Sequence, residues 1–415
     1  MRIAVLSLHT SPAAQPGAGD AGGLNVYVAR AVTHIRAAGH EPVVFTTDPQ
    51  VSRPEQRSLP DGVPVHVLPR RSTDKVGLVD EAADLATVLA GHPAIIGSDL
   101  VWAHYWTSAV AALAAADSIA AAGVHPRPRV AVTFHTIGAV KDRDTGTAAE
   151  PAVRLHHERD IAARADLLIA NTPAEARDME ELLGASASQV LVAPPGVDLA
   201  TFTPGPVQEA RRAVGRADAD LLLLYVGRMQ YVKGTDRAID ALATLRTLDP
   251  ALYSRTRLVM VGGASGGVDT AAFRQLAAEV GVEDRLDLVD PVPPEELVHW
   301  YRAADLVLVP SRSESFGFVA AEAQAAGVPV VAASVGGLPH VVDPGRTGVL
   351  VPDGSPLAWA RTIEDLLRDP AGRTRMGAAA HLHAARFDWA RAVGTILDAT
   401  AALNGVPRDR HHAHH

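Results

Sequence analysis

The stretch RIAVLSLHTSPAAQPGAGDAGGLNVYVARAVTHIRAAGHEPVVFTT, Arg2–Thr47, carries the pattern on which the fold turns. It opens with a short, nearly continuous apolar run, RIAVLSL. That is how a strand buried on both faces reads. Leu24, Val28, Val32 and Ile35 then recur at helical spacing and mark one apolar face of a helix, with Gly39 as its stop. PVVFTT follows as a second buried strand. Strand, helix, strand in this spacing predicts a βαβ unit and a parallel sheet.

The same rhythm runs through the chain. PVHVLP, DLVWAH, RVAVTFH, DLLIAN and QVLVAP read as further strands. Asp80–Gly91, Ser108–Ala122 and Ala152–Arg164 read as helices between them. PPGVDLATFTPGPVQ, Pro194–Gln208, is rich in proline and glycine and lacks periodicity, so it predicts a linker. Beyond it DLLLLYVG, RLVMVGG, RLDLVD, DLVLVP, VPVVAAS and GVLVP restart the alternation. The expected fold class is α/β: two doubly wound, Rossmann-like domains, residues 1–200 and 201–387. A last helix at about 388–405 can close the second domain or cross back to the first.

Bulk composition narrows the function. The 415 residues suffice for two domains, and 47% hydrophobic with 20% charged residues suits a globular chain. A net charge of −9 argues against nucleic acid and anionic membrane surfaces. The absence of cysteine removes disulfides, thiolate metal sites and a cysteine nucleophile. The first apolar run is too short for a signal peptide, and no run reaches the length of a membrane span, so a cytoplasmic location is expected. DRHHAHH, Asp409–His415, reads as a frayed terminus sooner than a metal tract.

Gly17, Gly19 and Gly22 spell the G-x-G-x-x-G of a dinucleotide-binding turn, and Asp48 ends the second strand where a ribose-binding acid would stand. That fingerprint needs a tight turn directly after the strand. Here Gly17 lies nine residues beyond Leu8, with Pro12 and Pro16 between. The dehydrogenase reading therefore fails on turn geometry. Gly22 and Gly23 fit another role. They precede a helix starting near Asn25, where unhindered backbone amides make an anion site at the ligand edge of the sheet.

In the second half, VGRMQYVKG places Arg228 and Lys233 just past a strand, and two cations in one strand-end loop suit a diphosphate. PSRSESFGFVAAEA, Pro310–Ala323, puts Glu314 before a helix and Glu322 about two turns into it. Phe316, Gly317 and Phe318 lie between them. The two carboxylates can work as an acid/base pair or accept hydroxyls of a sugar and a ribose. Singly, each of these residues is compatible with a solvated surface. GGLP, Gly336–Pro339, is one more glycine loop at a strand end.

ESFGFVAAE, with seven residues between its glutamates, resembles the signature of the family-4 retaining glycosyltransferases. VGR…KG and GGLP are further marks of that family, and HTSP, HYW and HT--AVK extend the likeness along the chain. The resemblance implies the GT-B architecture, an active site in the cleft between the domains, and a last helix crossing back. It implies that Arg228 and Lys233 hold the donor diphosphate, Glu314 the sugar hydroxyls, Glu322 the ribose, and Gly23 a phosphate oxygen. It implies too that His135, in FHT, touches the transferred sugar. Within the family the likeness is to members serving mycothiol biosynthesis. It implies transfer of N-acetylglucosamine from UDP-GlcNAc to inositol 3-phosphate. Lys75, Tyr105, Thr136 and Arg154 match the acceptor's phosphate cluster, and His9, Asp20 and Asn25 match positions around its ring.

The resemblance implies no required cofactor, although a structural Mg2+ near HWYRAAD is suggested, and a homodimer is possible. Val292, in DPVPPEE, stands where the family usually carries an arginine beside the nucleobase, and the segment from Lys141 to Arg154 is shorter than usual. Alternative readings are a secondary-metabolite glycosyltransferase with an aminocyclitol acceptor, for which Asp142 or Glu158 would serve, and a nucleotide-sugar 2-epimerase. The epimerase would need no acceptor pocket, which the set Tyr105, Thr136 and Arg154 argues against.

Overall fold

In the computed structural model, residues 1–14, 22–74, 76–216, 221–263, 270–352 and 354–405 are described. The glycine fingerprint Gly17/Gly19, Asp20, Lys75 and the histidine-rich tail lie outside them. The first sheet comprises β1 (Arg2–Leu6), β2 (Glu41–Asp48), β3 (Glu55–Ser58), β4 (Pro64–Pro69), β5 (Leu100–His104), β6 (Arg129–Thr133), β7 (Leu167–Ala170) and β8 (Val190–Val192). Its order is β3-β4-β2-β1-β5-β6-β7-β8, parallel except for β3 against β4. The second sheet comprises β9 (Leu221–Val226), β10 (Thr256–Val261), β11 (Leu286–Val289), β12 (Leu306–Val309), β13 (Val330–Ala333) and β14 (Gly348–Val351). It runs β11-β10-β9-β12-β13-β14, all parallel.

The fold class is therefore two doubly wound parallel-sheet domains. Polar, exposed EQRS in β3 is an edge strand that no apolar pattern announces.

Burial explains the run RIAVL. Ile3 and Val5 enter one hydrophobic core, while Ala4 and Leu6 enter the core on the opposite face. The first of these cores is covered by the helix Gly23–Ala37, through Tyr27, Val28, Ala31, Val32 and Ile35. It is covered too by the final helix Trp389–Leu403, through Trp389, Val393, Ile396 and Leu397. That last helix thus follows the second sheet in sequence and packs on the first in space. At about 25 cal/mol per Å² of apolar surface, docking a face of this size contributes several kcal/mol.

The parallel part of each sheet reverses its strand order once, at β1/β5 and at β9/β12. Ligands of open α/β sheets bind beyond the carboxyl ends at such points. The four loops leaving β1, β5, β9 and β12 carry Gly22–Gly23, Tyr105, Arg228–Lys233 and Glu314.

Candidate functional site

Two cavities line the cleft, of ≈ 950 Å³ and ≈ 370 Å³. Gly22, Gly23, Arg228, Lys233, Glu314 and Phe318 border both. Asn25, Val292 and Glu322 border the larger one. His9, Tyr105, His135, Thr136, Arg154, Phe316 and Gly317 border the smaller. Each described residue expected for the glycosyltransferase site thus reaches one wall or the other, whereas Asp142 and Glu158, the carboxylates of the aminocyclitol alternative, line neither cavity.

The glycine loop and the cationic loop meet across the cleft. A Cβ added to Gly22 would stand 3.5 Å from Arg228 Nε, and one on Gly23 would stand 3.1 Å from the Phe318 ring. At Gly22 a Cβ would make ordinary contact, whereas at Gly23 it would crowd the Phe318 ring. The helix begins at Gly23, so its free amides open on the same spot as Arg228. Asn25 braces this loop. Its Oδ1 accepts from Gly22 N–H at 2.9 Å, and its Nδ2 donates to Thr10 Oγ1 at 2.8 Å and Ser11 O at 2.6 Å.

On the second sheet's side, Lys233 Nζ donates to Glu314 Oε2 at 2.8 Å, and Ser311 Oγ donates to the same oxygen at 3.2 Å. Glu314 is backed by GGLP. Gly337 N–H donates to Glu314 O at 2.8 Å, and Gly336, at φ 51°, lies so close that a Cβ would overlap that carbonyl. Glu322 sits on the helix Phe318–Ala325 little more than one turn in, not two, because that helix starts only at Phe318. Tyr301 Oη donates to Glu322 Oε2 at 2.7 Å, and burial pushes the carboxyl up to about 7.

The first sheet's side is an ion network. Arg154 donates from Nε to Glu158 Oε1 at 2.7 Å and from Nη1 to Glu150 Oε2 at 2.7 Å. Its Nη2 reaches Thr136 O at 2.8 Å and Thr136 Oγ1 at 3.0 Å. Lys141 Nζ donates to the other oxygen of Glu150, and the Arg154 guanidinium lies 5.2 Å from the Tyr105 ring centre. Glu158 also accepts from Gly138 N–H at 2.8 Å, and burial raises its pKa. Helix spacing supplies the (i, i+4) links around Arg154. His135 adopts φ 61°, and its carbonyl accepts from Ser315 Oγ across the cleft. Burial lowers its pKa to about 3, so the ring is neutral. A second interdomain bond joins Ser313 Oγ to Asp144 Oδ2 at 2.9 Å.

Sequence reading passed over His104, Glu150, Glu175 and the serines Ser311, Ser313 and Ser315. The signals were the serines within SRSES, a polar cluster at a strand end, and the place of His104 in HYW. The suggested Mg2+ does not fit HWYRAAD. Asp305 is taken up by Arg211 at 2.8 Å and Arg373 at 3.2 Å, and no cluster of three or more metal-ligating side chains exists among the described residues. No described helix is long and apolar enough to cross a membrane.

Two parallel-sheet domains with cations, glycine amides and two carboxylates gathered in their cleft define a glycosyltransferase of the GT-B class. Residues 22–196 match the glycosyl transferase 4-like domain, and residues 206–383 match glycosyl transferases group 1. The D-inositol 3-phosphate glycosyltransferase of Kineococcus radiotolerans is 41% identical, covering 96% of this chain and 94% of its own. That of Nocardia farcinica is 42% identical, covering 97% and 89%. Sucrose-phosphate synthase from Thermosynechococcus elongatus superimposes with a TM-score of 0.84 at 28% identity, covering 97% and 99%. Anabaena HepE, solved with UDP and glucose, superimposes with 0.76 at 21% identity, covering 97% and 100%. The chain belongs to the family-4 glycosyltransferases and is close to their inositol 3-phosphate branch.

Proposed function

We propose that this glycosyltransferase moves N-acetylglucosamine from UDP-GlcNAc to a hydroxyl of inositol 3-phosphate, with retention at the anomeric carbon. The observation that carries this reading is identity of about 40% along nearly the whole chain to relatives bearing the inositol 3-phosphate glycosyltransferase name.

The geometry is compatible with the chemistry. Departure of the diphosphate leaves charge beside Arg228, Lys233 and the amides at Gly22–Gly23, where fixed positive groups stabilise it best. Glu314 accepts sugar hydroxyls while Lys233 holds it in place. In the resemblance-based mechanism the acceptor hydroxyl attacks from the face the diphosphate leaves, and a leaving phosphate oxygen takes its proton. This needs no protein nucleophile. Glu314 and Glu322 already have hydrogen-bonded partners in Lys233 and Tyr301. Arg154, Lys141, Thr136 and Tyr105 are the groups within reach of an acceptor phosphate, and Glu150 bridges the two cations among them.

The test is mass spectrometry and proton NMR of the product from UDP-GlcNAc and inositol 3-phosphate. A coupled sugar–inositol phosphate with an α linkage supports the reading. Slow donor hydrolysis alone overturns the acceptor; a β linkage overturns retention. A second reading, a different nucleotide sugar, draws on Val292 at the wall of the larger cavity. An apolar side chain there lacks the guanidinium that would hydrogen-bond a base.

A further inference from the structure

His104 closes β5 and is fully buried between the Trp102 ring, centred 4.6 Å away, and the Tyr27 ring, centred 5.5 Å away. Its Nδ1 lies 2.9 Å from Nε2 of His135, on the neighbouring strand's exit. Its other nitrogen, Nε2, has no hydrogen-bond partner among the described residues. His135 borders the smaller cavity.

One proton lies between the two rings, and either ring can supply it. If His135 Nε2–H donated, the neutral His104 would carry its own hydrogen on Nε2. That N–H would be buried against aromatic rings without an acceptor. If His104 Nδ1–H donates, Nε2 is left as a bare lone pair instead. Buried N–H groups without partners are rarer than under-used acceptors, so the second arrangement prevails. The hydrogen bond made by one ring nitrogen dictates the state of the other.

We propose that His104 is a positioning residue whose Nδ1–H donates to His135 Nε2, fixing His135 as the Nδ1–H tautomer and giving the transferred sugar a hydrogen-bond donor. This rests on the reading of His135 as a contact of that sugar. The left-handed backbone at His135 and its carbonyl's bond to Ser315 fix the main chain that carries the ring.

The experiment has two arms. Long-range proton–nitrogen NMR on native enzyme with isotope-labelled histidine reads the tautomer directly, with His135→Gln for assignment. Steady-state kinetics with UDP-GlcNAc and inositol 3-phosphate compare His104→Leu with His104→Asn, whose amide N–H falls near the place of Nδ1. The expected result is an Nδ1–H tautomer at His135. His104→Leu should lose kcat by about 10- to 100-fold with the acceptor KM unchanged, and His104→Asn should recover most of it. An Nε2–H tautomer in the native protein overturns the proposal. So does full activity in His104→Leu, or equal loss in both variants while both stay folded. A native enzyme inert toward UDP-GlcNAc, with the Nδ1–H tautomer intact, overturns the sugar-facing half and identifies the donor reading as the fault.

Discussion

Lys233, on the wall built by the second sheet, meets one carboxylate, that of Glu314. Arg154, on the wall built by the first sheet, is held by two, Glu150 and Glu158, and shares Glu150 with Lys141. The Lys233 and Glu314 side chains keep 29% and 17% exposure; those of Arg154 and Glu158 keep 5% and 0%. The first pair can separate when a charged ligand arrives, because water already screens part of it. The second is locked. Removing one member would leave an uncompensated buried charge, a loss of about 3–5 kcal/mol in other proteins. One wall is prepared to exchange partners, and the other to keep a shape.

The largest effect expected from this contrast is at Lys233. On the proposed reading Lys233→Ala removes a cation from the departing diphosphate, and kcat should fall by about 100- to 1000-fold. Thermal unfolding should barely move, since a partly exposed pair contributes about 0–1 kcal/mol. Near-normal turnover in a steady-state assay would show that Arg228 and the glycine amides suffice. A large drop in melting temperature would place Lys233 among the locked groups.

Glu150→Gln asks whether the locked wall has one movable member. Burial pushes the Glu150 carboxyl up. The Lys141 hydrogen bond and the Arg154 charge outweigh that and hold it below its usual range, so it is ionised at neutral pH. On the proposed reading it then competes with an acceptor phosphate for both cations. Its neutral amide should lower the KM for inositol 3-phosphate by about fivefold at low salt, and less as salt is raised. Unphosphorylated inositol should be unaffected. A raised KM would mean that Glu150 aligns the cations instead of occupying them.

The same contrast explains what could be read in advance. Arg228, Lys233 and Glu314 follow apolar runs within a few residues, so their place at a strand end is local information. The two-sheet fold was legible for that reason: RIAVL and LLLLYV are strands buried on both faces, and their composition says so. His104 and His135 meet because β5 and β6 are neighbours, 31 residues apart in sequence. Glu158 reaches Gly138 across 20 residues. Spacing within one element carries no trace of such pairings. GGLP was recognisable as a loop, but its closeness to the Glu314 carbonyl belongs to the tertiary fold. Edge strand β3 was invisible because an exposed strand needs no apolar alternation.

Glu175 gives the smallest effect and the sharpest sign. It opens the helix Pro173–Leu183, and its Oε2 accepts from Asn171 N–H at 2.7 Å. Burial pushes its carboxyl up to about 7, against Asn171 hydrogen bonds that pull it down and an Asp178 charge that adds to the rise. The folded state therefore binds more protons than the unfolded chain between the ordinary carboxyl range and about 7. Linkage makes stability fall as pH rises through that window. Glu175→Gln keeps an acceptor for Asn171 N–H and never ionises. Urea unfolding at pH about 5 and about 8 should then show the variant gaining on the parent at the higher pH. The gain should reach about 1 kcal/mol or more. Equal differences at both pH values would mean that Glu175 ionises freely where it sits, and that the first sheet's wall is wetter there than its packing shows.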